Sequence, residues 1–254
     1  MKTVNKIALI DGDSAVYVFS YFNRDTPEED FKTVEDAVDN WVTAILNRTD
    51  ADEYAGFLQG PEKSHRHKLF ESYKGNRSER PEWVTRWKDT IYNRLIERWK
   101  FQLVNGQEVD DAIASAHTIL SLKADPIICS TDKDYKQLPG LFYNPQKDIL
   151  FNVTDSEAEI NLLTQLITGD STDNIKGVPG AGPKTAEKLL KNTSKDLAET
   201  VLKFFIAYHN DNTAEGLLDF ANTAIQIVLK RDKEFKFETI EVKEKKRDIN
   251  ELFN

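Results

Sequence analysis

Glu108-Val109-Asp110-Asp111 opens, and Ser130-Thr131-Asp132-Lys133-Asp134 closes, the stretch whose reading decides the fold. Between them Ala112, Ile113, Ala116, Ile119 and Leu120 recur at helical spacing, which predicts a helix over 109–122. Pro126-Ile127-Ile128-Cys129 follows as a short apolar run and reads as a buried strand. In open α/β sheets ligands gather beyond the carboxyl ends of strands. Asp132 and Asp134 fall there, two residues apart, where both can face one metal site. Acidic residues favour helix N-termini to complement the dipole. Three carboxylates within Glu108–Asp111 exceed what capping needs.

The same pattern extends outward. Lys6-Ile7-Ala8-Leu9-Ile10 reads as a buried parallel strand ending at Asp11-Gly12. Asp11 is then placed for chemistry, or Asp-Gly simply begins a turn. Asp13 caps the next helix or supports Asp11. A helix over 33–48, capped by Thr33, precedes a second strand over 53–59. Phe142-Tyr143 and 149–153 read as further strands, the last closing the sheet edge. A helix over 160–168 runs into Asp170-Ser171-Thr172-Asp173, and one helical turn would point Asp170 and Asp173 the same way. Gly177-Val178-Pro179-Gly180-Ala181-Gly182 then opens onto a helix over 183–191, with backbone amides placed to meet phosphate. Helices over 194–210 and 213–229 follow. The charged tail, 231–254, contains Phe235, Phe237 and Thr239 in strand-like alternation.

Residues 60–100 change character. Lys63, Arg66, Lys68, Lys74, Arg77, Arg80, Arg86, Lys88, Arg94, Arg98 and Lys100 are interleaved with Phe70, Tyr73, Trp83, Trp87, Tyr92 and Trp99. Cations neutralise phosphates and flat rings stack on unpaired bases. A solvated helix with inward aromatics accounts for Tyr92, Leu95, Ile96 and Trp99, which share a stripe. It fits Tyr73-Lys74-Gly75-Asn76-Arg77 less well, since that run has turn chemistry. The net charge of -9 speaks against nucleic-acid binding, yet a carboxylate pocket concentrates negative charge that its ions would offset. Crowded carboxylates suit hard divalent ions such as Mg²⁺ or Mn²⁺. Cys129, the one cysteine, leaves no internal disulfide and points to a reducing, cytoplasmic setting. No apolar run reaches the length of a membrane span, and the N-terminus lacks a signal-peptide core.

Six motifs in order carry a resemblance: Leu9 to Gly12, Tyr73 to Arg77, Glu108 to Asp111, Ser130 to Asp134, Gly169 to Asn174, and Gly177 to Gly182. Together they resemble the 5′-3′ exonuclease and flap endonuclease family, most of all the single-domain enzymes of bacteriophages. The resemblance implies a mostly parallel α/β sheet flanked by helices (PIN-like), a helical arch and a helix-three-turn-helix module. It implies a nuclease domain over 1–160, with its arch at 61–104, and a helical DNA-binding module with the tail over 161–254. By resemblance Asp11, Glu108, Asp110, Asp111 and Asp132 match the first metal site, and Asp134, Asp170 and Asp173 the second. Lys74 and Arg77 match the cations that meet the scissile phosphate, and Tyr73 the aromatic that stacks near the 5′ end. Arg66 joins the groups that meet DNA. Gly177, Val178, Gly180, Gly182, Lys184 and Thr185 match the loop holding the duplex backbone, in the family often with K⁺. The implied activity is two-metal hydrolysis of DNA at 5′ ends and flaps during replication, by a monomer, with RNA in RNA–DNA hybrids as a further substrate. One departure stands out. Many relatives have an aspartate after the second strand, where this chain has Gly60-Pro61-Glu62, and Glu62 is the candidate substitute.

Two other readings use part of the same residues. A haloacid-dehalogenase-type phosphatase would use Asp11-Gly12-Asp13-Ser14 as its nucleophile motif, Gly169 to Asp173 for metal, and Thr131 and Lys133 between. It leaves Glu108–Asp111, the basic stretch and the glycine loop unexplained. A non-catalytic module for branched DNA would keep arch and loop but shed carboxylates, and Gly60 alone favours it.

Overall fold

The computed structural model describes residues 5–23, 25, 30–79, 81–192 and 196–242. Arg80, Ser194 and the tail from residue 243 onward lie outside the described residues. In chain order the elements are β1 (Lys6–Asp11), α1 (Asp13–Phe22), α2 (Phe31–Thr49), β2 (Glu53–Gln59), α3 (His65–Leu69), α4 (Glu82–Glu97), β3 (Gln102–Val104), α5 (Val109–Leu120) and β4 (Asp125–Cys129). A 3₁₀ turn (Asp134–Gln137) leads to β5 (Gly140–Asn144), β6 (Ile149–Val153) and α6 (Asp155–Thr168). After these come β7 (Gly169–Asp170), β8 (Ile175–Lys176), α7 (Pro183–Lys191), α8 (Leu197–Tyr208), α9 (Thr213–Ile227) and β9 (Ile240–Glu241).

The main sheet runs β3-β2-β1-β4-β5-β6. Strands β1 to β5 pair in parallel, whereas β6 and β9 pair antiparallel to β5 and β2. Alternation along each strand sends side chains to opposite faces. Ala8 and Ile10 pack with Val38, Val42 and Ile91 under α2 and α4. Ile7 and Leu9 pack with Ala112, Ile113 and Ala116 of α5 on the other face. Both faces of β1 are therefore covered, which explains its unbroken apolar run. Strand order reverses between β1 and β4, so the crevice beyond their carboxyl ends is where such sheets take ligands.

A third apolar cluster lies to one side: Leu163, Leu166, Ile167, Val178, Leu190, Val201 and Phe205, from α6 to α9. Helix α6 contributes to two clusters, with Ala158 in the sheet's core and Leu166 in the helical one. The chain then returns to the sheet. Phe235 and Phe237 pack on Phe57, and the strand expected near 235–239 forms at Ile240–Glu241 instead.

Three local expectations are corrected. Helix α2 is capped by Asp30, which accepts from the Thr33 amide, so Thr33 lies inside the first turn. Asp170 and Asp173 do not share a helical turn: Gly169, at φ +69°, ends α6, and the two aspartates belong to the hairpin β7–β8. Helix α4 packs on α1 and α2 through Val84, Trp87, Ile91 and Leu95, so Trp87 is core and cannot stack on a base.

The departure at Gly60 has a steric cause. Its amide donates to Val104 O at 2.8 Å, and a Cβ there would lie 2.1 Å from Asn105 Oδ1 and 2.7 Å from Val104 O. An aspartate cannot occupy that position without moving β3. Gly60→Ala should destabilise the fold by about 1–3 kcal/mol through overpacking. Urea denaturation checks this, and an unchanged midpoint would refute the close approach.

Candidate active site

The acidic residues converge at the switch point, each delivered by the end of an element. Asp11 ends β1. Its Oδ2 accepts from Ser130 Oγ at 2.9 Å and Tyr135 OH at 3.3 Å, and its Oδ1 from the Asp13 amide at 3.2 Å. Burial, then the neighbouring charge of Asp13, pushes its carboxyl up to about 7. Glu108 stands at the N-cap position of α5 without capping it through its side chain, and its Oε2 accepts from Arg66 Nη1 at 2.7 Å and Tyr73 OH at 2.8 Å while its Oε1 takes Lys74 Nζ. Burial alone would raise Glu108, but Lys74, Arg66 and Tyr73 hold it down at about 2. Asp110 is pushed well up, by burial and then by Asp111 and Glu108. Asp134, hydrogen-bonded by Gln165, is pushed up to about 6 by burial and by Asp132.

Two cavities divide these groups. One, of about 250 Å³, is lined by Asp11, Asp13, Glu108, Asp110 and Asp132, with Lys74, Arg77, Gln59 and Tyr92 around them. The other, of about 20 Å³, is lined by Asp110, Asp134, Asp170 and Asp173 with Gln165 and Tyr73. The smaller has room for about one water or small ion. Asp110 lines both. Glu108, Asp110 and Asp111 also bring one carboxylate oxygen each within 4.8 Å of one another. An all-oxygen donor set, with three carboxyls that resist ionising unaided, fits a hard divalent cation.

Cations already offset part of the charge. Arg77 and Lys74 pair with Asp173, and Lys133 Nζ lies 2.7 Å from Asp170 Oδ2, which holds Asp170 below the usual range against its burial. The turn 72–77 is docked on the hairpin turn: the Lys74 amide donates to Asp173 O, Asn76 Nδ2 to Ser171 O, and Asn174 Nδ2 to Ser72 O, each at 2.8 Å. Lys74 sits at φ +55°, a backbone region that non-glycine residues rarely occupy and that concentrates at functional sites.

Several expected residues fall elsewhere. Arg66 cannot meet DNA: it is 1% exposed and its guanidinium is taken by Glu108 and Asp111. Tyr73 is 4% exposed with its hydroxyl on Glu108, so it is not available to stack on a base. Asp111 is fully buried and lines neither cavity. Glu62 is exposed beside Gly106 and lines neither cavity, so it does not substitute for the missing aspartate. Gln59, the last residue of β2, faces the larger cavity instead. Its place at a strand's carboxyl end was the signal that could have found it. Asp13 holds the Gln59 amide at 3.1 Å and Tyr92 OH at 2.7 Å. In the glycine loop, Val178 is buried and its amide is spent on Ile167 O, whereas Gly180 and Gly182 face open space. Lys184 and Thr185 are exposed, and Gly177 packs tightly against Gly169.

A fold that gathers carboxylates at the switch point of a mostly parallel sheet defines a metal-site α/β protein. Comparison with known proteins makes this specific. A family model described as 5′-3′ exonuclease, N-terminal resolvase-like domain, matches residues 6–157. Flap endonuclease Xni of Shewanella halifaxensis is 32% identical over 200 residues, covering 74% of this chain and 78% of that protein. DNA polymerase I of Rhizobium leguminosarum is 37% identical over 146 residues, which is 51% of this chain but only 14% of that longer protein. In fold, the chain is similar to the bacteriophage T5 flap endonuclease in complex with DNA and metal ions, with TM-score 0.66 and 18% identity over 87% of this chain and 88% of that one. The chain belongs to the 5′-3′ exonuclease and flap endonuclease family.

Asp11 gives a pH test of the site's electrostatics. Its folded value lies above the ordinary 3.8, so the stability it contributes is present at low pH and is lost as pH rises from about 4 to about 7. Asp11→Asn mimics the protonated form. In chelator, the variant should melt above wild type at pH 8, and the gap should close toward pH 5. A gap independent of pH would contradict the buried, cation-dependent carboxyl.

Proposed function

We infer that the chain hydrolyses phosphodiester bonds at or near 5′ ends and flaps of DNA, leaving 5′-phosphate and 3′-hydroxyl ends. The observation that carries this is the pair of carboxylate cavities sharing Asp110, with Lys74 and Arg77 lining the larger one. Asp11, Glu108, Asp110 and Asp132 would hold one divalent ion, and Asp134, Asp170 and Asp173, with Asp110, a second. Bound Mg²⁺ or Mn²⁺ would supply an activated water and stabilise the leaving oxygen.

The chain's own residues do the rest. Lys74 and Arg77 rest on Glu108 and Asp173 while the carboxylates are uncompensated. Once those charges are offset, both cations can turn to the phosphate and steady its developing charge. Tyr73 OH holds Glu108 Oε2 at 2.8 Å. Gly180 and Gly182 leave the approach to α7 open, and Lys184 and Thr185 flank its N-terminus, which suits a duplex backbone read without regard to sequence.

On this reading residues 1–160, with the arch at 61–104, form the nuclease unit. Residues 161–254 carry the helix-three-turn-helix module, with K⁺ at its glycine loop. The protein acts as a cytoplasmic monomer and also removes RNA from RNA–DNA hybrids. No helix among the described residues is long and apolar enough to cross a membrane. The phosphatase alternative gives Glu108 and Asp110 no task although both line the larger cavity.

The test uses a labelled 5′ flap, a blunt duplex and an RNA–DNA hybrid, each with and without Mg²⁺. Asp173→Asn should slow flap cleavage by about 10²-fold or more, comparable to loss of a transition-state charge partner. Flap binding measured in Ca²⁺ should stay intact or tighten, because a negative charge has gone. Wild-type cleavage by Asp173→Asn would remove that residue from the reaction, and a trapped aspartyl-phosphate at Asp11 would replace the nuclease reading with the phosphatase. For the loop, Gly182→Val is the cleaner probe, since Gly180 sits at φ +79° and Gly182 in ordinary extended backbone. Gly182→Val should weaken duplex binding while the chain remains folded, and unchanged affinity would refute the loop's role.

A further inference from the structure

Three carboxylates crowd the start of α5, but they are not equivalent. Both oxygens of Asp111 are taken by Arg66: Nη2 donates to Oδ1 and Nη1 to Oδ2, each at 2.8 Å. The Lys230 amide adds a bond to Oδ1 at 2.8 Å. Arg66 Nη1 also reaches Glu108 Oε2 at 2.7 Å, and Nη2 reaches Val228 O at 3.1 Å. Its Nε is buried without a hydrogen-bond partner among the described residues. Asp111 lines neither acidic cavity, whereas Asp110, one residue earlier, lines both. Neighbouring residues on a helix point about 100° apart. The α5 backbone thus sends Asp110 to the cavities and Asp111 into the protein.

We propose that Arg66 and Asp111 form a buried positioning pair that aims Glu108 and Asp110 at the ions, and that Asp111 is not a metal ligand. This rests on the proposed function, because the ions are those of that reading. An ion at Asp111 would have to break a two-pronged guanidinium contact and strip Arg66, which already lines the smaller cavity, of the carboxylate that offsets its charge. Lys74 on Glu108 is different, for its side chain is 17% exposed and can withdraw. The pair also anchors the chain where it leaves α9. Beyond Val228 and Lys230, Ser115 Oγ donates to Lys230 O and accepts from the Asp232 amide, while Gln137 Oε1 accepts from the Leu229 amide. Arg66 therefore joins α3, the acidic end of α5 and the segment returning from the helical unit. A residue in that position controls ion affinity through Glu108 without touching substrate.

The experiment counts Mn²⁺ ions on the chelator-stripped chain by electron paramagnetic resonance, alongside thermal melting and flap binding in Ca²⁺. Wild type should bind two or more ions, and Asp110→Asn at least one fewer. Asp111→Asn should keep the wild-type count, bind about tenfold more weakly and melt at lower temperature. Arg66→Lys should likewise keep the count and weaken Mn²⁺ about tenfold. Either single variant leaves one buried charge unpaired, so Arg66→Gln/Asp111→Asn provides a folded control. It should melt above both single variants and retain the wild-type count. Loss of an ion in Asp111→Asn or in the double variant, matching Asp110→Asn, would overturn the proposal. So would an Arg66→Lys variant that loses flap affinity while its Mn²⁺ affinity is unchanged. Failure of wild type to bind Mn²⁺ would instead defeat the proposed function, and this proposal with it.

Discussion

Mutual repulsion among carboxylates at the carboxyl end of a parallel sheet is the constraint on which the rest of this structure depends. Asp11, Asp110 and Asp134 are each pushed toward the neutral form by burial and by their acidic neighbours. The protein offsets the crowd with charge of two kinds. Arg66 is a permanent partner, buried with Asp111 and closed to solvent. Lys74, Arg77 and Lys133 lie nearer the surface, at Glu108, Asp173 and Asp170. Only the second kind can withdraw when ions arrive, so the site is neutralised in two layers with different permanence.

The fold makes that arrangement possible by bringing distant chain segments to one edge. Strands β1 and β4 lie side by side, which places Asp11 beside Ser130 and Tyr135. The hairpin β7–β8 carries Asp170 and Asp173 in from the helical unit. Its turn is fastened to the 72–77 turn through the Lys74 amide, Asn76 and Asn174. Groups that would meet the phosphate are therefore fixed to the same hairpin that supplies carboxylates.

Much of this was legible in the sequence because the signals were local. The short runs at 6–10, 53–59 and 126–129 read as buried strands and the glycine-proline pattern at 177–183 as the opening of a helix, and each element formed there. The acidic words fell at the ends of those elements, so their convergence followed from the rule for parallel sheets. What stayed hidden depended on three-dimensional partners. Arg66 and Tyr73 read as DNA-facing because cations and aromatics in a basic stretch usually face solvent, and nothing local reveals their pairing with Glu108 and Asp111. Asp170 and Asp173 read as helical because spacing alone cannot show that Gly169 ends α6. Gly60 read as a missing ligand, but its lack of a side chain is set by the approach of Val104 and Asn105.

If this acidic crevice is a divalent-ion site organised around Asp110, ions should sit beside that residue. Anomalous diffraction from crystals grown in Mn²⁺ tests it most directly. Two peaks are expected, one in the cavity of Asp11 and one in the cavity of Asp170 and Asp173, with Asp110 adjoining both. A single peak remote from Asp110, or no peak among these carboxylates, would contradict it.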